Sequence, residues 1–213
     1  MKYSVCLLAA GKGSRTHLEY NKVFYKLENG LTVLDTCLSV FLSDSDCQQI
    51  ILVCAKQEKE TVEQIYKDNS RIQVVEGGAT RQDSVSNGLD YVTSEYVFIH
   101  DGARPYIQSE QIEDLKRTLE TEDACLLMVP SVDTSKIVVD GYVQETLVRS
   151  TVYNAQTPQC FKTELIRYCQ KRAKEENRIG TDDAQLVEWY GNTKVKMVLG
   201  DASNKKITLP SDL

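Results

Sequence analysis

Short apolar or β-branched runs alternate along the chain with longer segments in which apolar residues recur at helical spacing. This alternation is typical of a mainly parallel sheet whose strands are joined by crossover helices. The predicted strands are Tyr3–Ala9, Ile50–Cys54, Ile72–Glu76, Tyr96–His100, Ala124–Val129 and Val195–Leu199. The predicted helices lie near Leu34–Leu42, Lys56–Asp68, Ser84–Tyr91, Ser109–Thr121, Lys162–Glu176 and Asp182–Trp189. The pattern therefore predicts an α/β fold.

One segment, from Ser131 to Gln156, interrupts this rhythm. The pair Asp140-Gly141 lies between the apolar runs Ile137–Val139 and Tyr142–Val148, and it is a strong hairpin signal because both turn positions need a positive φ. An isolated two-stranded hairpin is marginally stable in water, so this one should pack against something else. We predict a dimerisation arm at about residues 131–156, with a second copy of the chain as its partner.

Composition narrows the class of protein. With 213 residues, 41% of them hydrophobic, the chain suits one domain spanning residues 1–213. Its net charge of −6 and its scattered Lys and Arg residues argue against nucleic acid as a partner. Seven cysteines without a C-x-x-C pair indicate a reduced compartment. The run Val5–Ala10 is too short for a signal-peptide core or a membrane span, so we expect a cytoplasmic protein without a membrane partner.

The first candidate binding element follows the first predicted strand, where the chain reads Leu8-Ala-Ala-Gly-Lys-Gly-Ser-Arg15, with Lys22 seven residues later. Small residues let the backbone approach a ligand closely, and successive amides in such a turn form an anion cradle. This favours a nucleoside triphosphate, although the segment is neither a Walker sequence nor a full dinucleotide fingerprint. Taken alone, it would fit a plain strand-to-helix turn equally well.

Two further loops support the binding interpretation. Gly77-Gly-Ala-Thr-Arg-Gln-Asp-Ser84 follows the third strand, and His100-Asp-Gly-Ala-Arg-Pro105 follows the fourth. In open α/β sheets, ligands bind beyond the carboxyl ends of strands, so the three loops should converge on one crevice. Their glycines allow close approach, their cations suit phosphate, and Asp101 is a possible oxygen ligand for Mg²⁺ or another divalent cation.

Taken together, these motifs carry a resemblance to a known family. In order, the chain contains A-A-G-K-G-S-R, Lys22, G-G-A-T-R-Q-D-S, H-D-G-A-R-P, V-D-T, A-Q-T-P-Q, T-D-D-A and K-I-T-x-P-x-D-L. This series resembles the 2-C-methyl-D-erythritol 4-phosphate cytidylyltransferases. The resemblance implies a three-layer Rossmann-like nucleotidyltransferase fold, a homodimer with shared sites, and transfer of CMP from CTP to a small sugar-alcohol phosphate. Ribitol-5-phosphate cytidylyltransferases share much of the pattern, so that acceptor stays open.

The same resemblance implies roles for individual residues. Arg15 and Lys22 would stabilise charge on the CTP phosphates as the catalytic pair. CTP would be bound by Ala9, Ala10, Gly11, Gly13, Gly78, Ala79, Ser84, Asp101, Gly102, Arg104 and Lys206, with Asp101 also the candidate metal ligand. The acceptor would be held by Thr134, Arg149, Thr157 and Thr181, with the arm supplying its residues to the partner's site.

Several of these residues also have structural explanations. Ser84 and Thr181 suit helix N-termini, and capping of the next turn is the structural alternative for Asp101. His100 is expected to be a buried or orienting residue and His17 a solvent-facing one, since a phosphate nucleophile needs no general base.

The chain departs from the family pattern around the lysine. Asn21-Lys22-Val23 stands where the family usually has Pro before the lysine and Gln after it, which predicts a less rigid loop. A third reading is therefore a nucleotide-binding regulatory module that has lost turnover.

Overall fold

The computed structural model describes residues 1–11 and 20–212. Its strands are β1 (Tyr3–Leu8), β2 (Cys47–Cys54), β3 (Ile72–Glu76), β4 (Tyr96–Asp101), β5 (Ala124–Pro130), β6 (Lys136–Val139), β7 (Tyr142–Thr146), β8 (Tyr153–Lys162) and β9 (Lys196–Leu199). Its α-helices are α1 (Val33–Ser43), α2 (Lys59–Tyr66), α3 (Arg81–Leu89), α4 (Ser109–Thr118), α5 (Thr163–Glu175) and α6 (Asp183–Tyr190). All six predicted strands and all six predicted helices are present, with their ends shifted by a few residues.

Seven strands form one sheet in the order β3-β2-β1-β4-β8-β5-β9. Six of them run parallel, while β8 is antiparallel to both of its neighbours, β4 and β5. The carboxyl ends of β1, β3 and β4 therefore open on the same edge of the sheet. This confirms the mainly parallel α/β architecture predicted from the sequence.

Helices cover both faces of the sheet, which makes three layers. On one face, α1, α2 and α4 bury residues such as Phe41, Val62 and Leu115. On the other, α3, α5 and α6 bury residues such as Val85 and Ile166. The strands are apolar on both sides because each side of the sheet meets a helical layer.

Strand β8 is absent from the prediction, and its sequence explains the omission. Residues 153–162 read Y-N-A-Q-T-P-Q-C-F-K, a polar stretch interrupted by Pro158, which normally argues against a central strand. The proline is accommodated because the pairing with β5 shifts register between Leu126 and Met128. The predicted arm boundary is wrong at its C-terminal end, since residues 153–156 belong to the central sheet.

The hairpin signal at Asp140-Gly141 is confirmed. Among the described residues, strands β6 and β7 pair only with each other, and both turn residues have positive φ, 51° for Asp140 and 85° for Gly141. Every residue of the two strands is exposed, including Tyr142 at 81% and Val143 at 63%. The hairpin thus presents apolar side chains to the outside of the subunit.

The seven cysteines are all buried and unpaired, which agrees with their interpretation as small core residues. Burial raises the pKa of Cys6 and of Cys54, to about 12 and about 11, so neither thiol is an activated nucleophile. Within residues 1–11 and 20–212, no helix combines the length and the apolar character needed to cross a bilayer.

Candidate functional site

An open cleft of about 520 Å³ lies at the carboxyl ends of β1, β3 and β4. Nine of the predicted site residues line it together: Ala9, Ala10, Gly11, Lys22, Gly78, Ala79, Ser84, Asp101 and Lys206. The predicted convergence of three loops on one crevice is therefore confirmed. Gly13 and Arg15 lie outside the described residues.

Main-chain hydrogen bonds anchor the loops after β1 and β4 to neighbouring strands. Ala9 donates its N–H to the Val53 carbonyl at 2.7 Å, and Gly102 donates to the Leu8 carbonyl at 2.9 Å. A side chain at Gly102 would be crowded, since a Cβ there would lie 3.0 Å from the Leu8 oxygen. A Cβ on Gly11, by contrast, would meet no described atom within 4 Å. The turn after β1 is therefore anchored at its base and open where a ligand would lie.

Helix α3 begins directly beneath the cleft. Thr80 is its N-cap and forms a capping box with Asp83, so Ser84 does not cap this helix. Ser84 instead accepts a hydrogen bond from the Gly78 N–H at 3.0 Å and donates to the Thr80 carbonyl at 2.9 Å. Ser84 thus holds the glycine loop in shape. The close approach also requires Gly78, because a Cβ there would lie 2.2 Å from the Asp83 Cβ.

Asp101, at the end of β4, is the centre of a charged network. Its carboxylate oxygens lie 2.8 Å from Lys206 Nζ and 3.4 Å from Arg81 Nε. Burial opposes charge on this carboxylate, but Arg81, Lys206 and Arg104 outweigh burial and hold the pKa of Asp101 well below its ordinary value. Asp101 is therefore ionised and fixes two cationic side chains on the rim of the cleft.

The donor set around Asp101 fits a divalent cation only in part. Mg²⁺ in nucleotide sites is usually held by one or two carboxylates together with phosphate oxygens and water. Asp101 is the one carboxylate among the described residues that line the cleft, and both of its oxygens already face cations. No group of three or more His, Cys, Asp or Glu side chains in residues 1–11 and 20–212 could hold a metal ion. A cation here would depend mainly on the phosphates that accompany it.

His100 and Thr157 form a buried pair behind Asp101. The Thr157 hydroxyl donates to His100 Nδ1 at 2.9 Å and accepts the Asp101 N–H at 3.0 Å, which leaves His100 Nε2–H to donate to the Arg104 carbonyl at 3.1 Å. Burial lowers the pKa of His100 to about 4. The expectation that His100 is a buried or orienting residue is confirmed as far as its burial is concerned. Thr157 is 4% exposed with its hydroxyl engaged on both sides, so its direct contact with the acceptor stays a prediction.

The depressed pKa of His100 predicts a pH dependence of stability. Below a pH of about 6.5, the ordinary pKa of histidine, His100 binds a proton in the unfolded chain but stays neutral in the native state. The free energy of unfolding therefore falls as the pH drops from about 6.5 towards about 4. We expect the free energy of unfolding, measured by urea titration, to fall between pH 7 and pH 5 by about 2 kcal/mol less in His100→Gln than in the parent chain. An equal loss in both proteins would contradict the buried neutral imidazole.

Arg104 lies beside the cleft and organises the C-terminal segment. Its guanidinium donates to the Asn204 carbonyl at 2.7 Å, and its Nε is 4.0 Å from an Asp101 oxygen. The side chain of Asn204, fully buried, donates to the Thr157 carbonyl at 2.9 Å. These bonds hold the segment that leads to Lys206 in place. Arg104 therefore supports the cleft indirectly, by positioning that segment.

Arg81 and Asn21 are among the cleft residues that sequence reasoning did not assign to the site. Arg81 bridges Asp101 to Asp183, whose Oδ2 lies 2.8 Å from its NH1. Asn21 is buried and donates to the carbonyl of Ala9, directly after β1. A signal for Arg81 existed, because it lies inside the G-G-A-T-R-Q-D-S motif.

None of the four predicted acceptor residues, Thr134, Arg149, Thr157 and Thr181, belongs to the described lining of the cleft. Thr134 and Arg149 belong to the arm, where the Arg149 guanidinium donates to the Val132 carbonyl at 3.3 Å. Thr181 is exposed and bonds to Gln185, while Asp182 is the N-cap of α6, so the N-cap reading of Thr181 is wrong. One subunit therefore does not bring these three residues together with Lys22.

Comparison with known proteins places this geometry in a family. Curated relatives named 2-C-methyl-D-erythritol 4-phosphate cytidylyltransferase include one from Bacillus mycoides, 40% identical, with 99% of this chain and 94% of the relative covered. Another, from Clostridium novyi, is 40% identical over 100% of this chain and 94% of the relative.

Solved structures agree. The 4-diphosphocytidyl-2C-methyl-D-erythritol synthase from Anaerococcus prevotii superposes with a TM-score of 0.87 at 33% identity, covering 99% of this chain and 94% of that one. The 2-C-methyl-D-erythritol 4-phosphate cytidylyltransferase from Francisella tularensis gives 0.84 at 29% identity, covering 100% and 96%. The family model for 2-C-methyl-D-erythritol 4-phosphate cytidylyltransferase matches residues 3–213, and the chain belongs to this family.

Proposed function

We propose that this protein transfers CMP from CTP to 2-C-methyl-D-erythritol 4-phosphate, giving the CDP-linked alcohol and pyrophosphate. Family membership supports the reaction, and one observation supports its location: a main-chain cradle, Lys22, Arg81 and Lys206 line a single cleft. Such a cleft suits a triphosphate, because cationic side chains and backbone amides can stabilise its negative charge without gaining or losing protons. We place the reaction in the cytoplasm, without nucleic acid or membrane as a partner.

The chemical step is an in-line displacement. An oxygen of the acceptor phosphate attacks the α-phosphorus of CTP, a new P–O bond forms, and the bond to the bridging oxygen breaks as pyrophosphate leaves. The attacking phosphate carries most of its second negative charge at neutral pH, since its second pKa is about 6. No side chain has to remove a proton, in keeping with the position of His100 behind Asp101.

Catalysis then consists of positioning and charge stabilisation. Lys22 is buried in the cleft wall, next to the cradle formed by Ala9 to Gly11. With Arg15, it would meet the charge that builds on the phosphates as the leaving group separates. Lys206, held by Asp101, would contact the phosphates from the opposite loop.

A divalent cation would enter with the triphosphate and supply further neutralisation of its charge. Asp101 is the protein ligand that we assign to it, with the phosphates providing most of the remaining oxygen ligands. Its pairing with Lys206 and Arg81 implies that these cations adjust when the nucleotide binds.

The cytosine base would be read by main-chain groups. The turn at Ala9 to Gly11 and the loop at Gly78 and Ala79 line the cleft, with Ser84 holding the second loop in place. Carbonyl oxygens facing the exocyclic amino group accept a hydrogen bond from cytosine and repel the corresponding oxygen of uracil.

The acceptor site would be completed by a second subunit. Thr134 and Arg149 are exposed on the arm, whose apolar hairpin residues are also exposed in the single subunit. In a homodimer the arm of one protomer would place these residues, with Thr157 and Thr181 of the other protomer, around the acceptor phosphate. We therefore propose two shared active sites per dimer.

Nucleotide and acceptor selectivity test this proposal. Pyrophosphate release with 2-C-methyl-D-erythritol 4-phosphate should be at least about tenfold faster with CTP than with UTP, ATP or GTP, because the cradle selects cytosine. Comparable turnover with UTP or ATP would contradict the cytidine assignment.

The same assay with CTP and ribitol 5-phosphate separates the alternatives. Preference for ribitol 5-phosphate would keep the reaction and change the acceptor. No pyrophosphate release with either acceptor, from a protein that still binds CTP, would indicate a nucleotide-binding module without turnover.

A further inference from the structure

Asn21 lies between the cleft and the turn after β2, in a buried position where a polar side chain needs hydrogen-bond partners. It directly precedes Lys22 and is only 6% exposed. A buried carboxamide must satisfy two N–H donors and an oxygen acceptor to avoid a desolvation cost. Its partners therefore show what the residue is holding in place.

All three polar functions of this side chain are used. The amide nitrogen donates to the Ala9 carbonyl at 2.7 Å and to Glu58 Oε2 at 3.1 Å. The amide oxygen accepts the N–H of Val23 at 3.3 Å and caps the short 3-10 turn Lys22–Phe24. The orientation of the carboxamide is thus fixed by chemistry, since an oxygen in place of the nitrogen would face two other oxygens.

These partners belong to different parts of the site. Ala9 directly follows β1 and lines the cleft, while Glu58 lies in the turn after β2. The 3-10 turn carries Lys22 as its first residue. One side chain therefore joins the segment that bears the lysine directly to the cradle that would hold the triphosphate.

We propose that Asn21 is a positioning residue for Lys22, holding the lysine segment at a fixed distance from the cradle. This inference rests on the proposed function, because it assumes that Lys22 acts on the triphosphate. Small displacements of a charge-stabilising group reduce catalysis strongly while leaving ground-state binding less affected. The carboxamide of Asn21 is fully engaged by Ala9, Glu58 and Val23 and does not contact the reacting atoms itself.

The test is a double-mutant cycle measured as kcat and KM with CTP and 2-C-methyl-D-erythritol 4-phosphate. Asn21→Ala should lower kcat about tenfold with little change in KM for CTP, because the lysine loses its anchor rather than its charge. Asn21→Asp should lose at least as much, since its carboxylate would face the Ala9 carbonyl and Glu58. As a matched control, Asn29→Ala removes a comparable bond, from Leu31 N–H at 3.0 Å, in an exposed turn, and should keep parental kcat.

The decisive measurement is the double variant. If Asn21 acts through Lys22, adding Asn21→Ala to Lys22→Ala should lower kcat no more than about twofold further. A further tenfold loss would mean that Asn21 acts independently of the lysine and would overturn the proposal. Parental kcat in Asn21→Ala or Asn21→Asp would also overturn it. Full activity of Lys22→Ala would instead refute the catalytic role of the lysine in the proposed function.

Discussion

Replacing Lys22 by alanine is expected to lower kcat by about a hundredfold or more while the chain stays folded. The lysine is 8% exposed in the wall of the cleft and follows the cradle at the end of β1. A cation placed there stabilises charge that grows on the phosphates in the transition state, and removing one such group typically costs two to three orders of magnitude. Steady-state pyrophosphate release at saturating CTP measures the effect.

Adjacent lysines supply the control for this experiment. Lys206 lines the cleft and lies 2.8 Å from Asp101, whereas Lys205 is exposed and lies 3.5 Å from Asp212. Lys206→Ala should therefore weaken catalysis, and Lys205→Ala should leave it within about twofold of the parent.

Near-normal kcat in Lys22→Ala would remove the lysine from the catalytic pair. The same assay on Arg15→Ala tests its predicted partner.

Much of the fold could be predicted because its strands and helices follow the two simple hydrophobic periods. Strands such as β2 are apolar on both faces, with Ile50 in one core layer and Ile51 in the other. Such runs identify parallel strands between helical layers. The Asp140-Gly141 turn is equally predictable from the sequence, since few residue pairs tolerate positive φ at both positions.

The missed strand β8 shows where hydrophobic periodicity fails. It lies in the middle of the sheet, yet its buried residues include Gln156, Thr157 and Gln159. These polar side chains are stable there because each has hydrogen-bond partners near the site: Thr157 bonds to β4, and Gln159 accepts the N–H groups of Asp183 and Ala184 at the start of α6. Because several buried residues of β8 are polar and serve the site, the strand lacks the apolar pattern by which a strand is recognised in a sequence.

The expectation of a less rigid loop before Lys22 stays a prediction, because residues 12–19 lie outside the described residues. At the position where the family usually has proline, Asn21 has a φ of −65°, a value that proline also favours, and its carboxamide is bonded to Ala9 and Glu58. A polar side chain can restrain a loop through long-range hydrogen bonds that sequence spacing does not reveal.

Replacing Arg149 by alanine is the sharpest test of the shared active sites. The side chain is exposed on the arm and does not line the cleft of its own subunit. If it binds the acceptor phosphate in the partner's site, Arg149→Ala should raise KM for the acceptor about tenfold or more, with KM for CTP little changed. A bidentate guanidinium contact with a phosphate is strong enough for a loss of this size.

Mixed dimers then decide which subunit Arg149 serves. At an acceptor concentration too low for Arg149→Ala to turn over, that variant and Lys22→Ala are each nearly inactive as homodimers. In a dimer containing one of each, one shared site carries both defects and the other carries neither. After random reassortment of equal amounts, half of the dimers are mixed and each has one intact site, so activity should return to about a quarter of the parental value.

A second mixture provides the matched control. Lys22 and Lys206 line the same cleft within one subunit, so mixing Lys22→Ala with Lys206→Ala leaves every site with one defect. That mixture should show only the average activity of its parents, which separates true complementation from stabilisation by mixing. If Arg149→Ala and Lys22→Ala subunits demonstrably exchange yet also give only the parental average, Arg149 does not serve the partner's site. The shared-site dimer would then have to be abandoned, whereas the assignment of the cleft to CTP would stand.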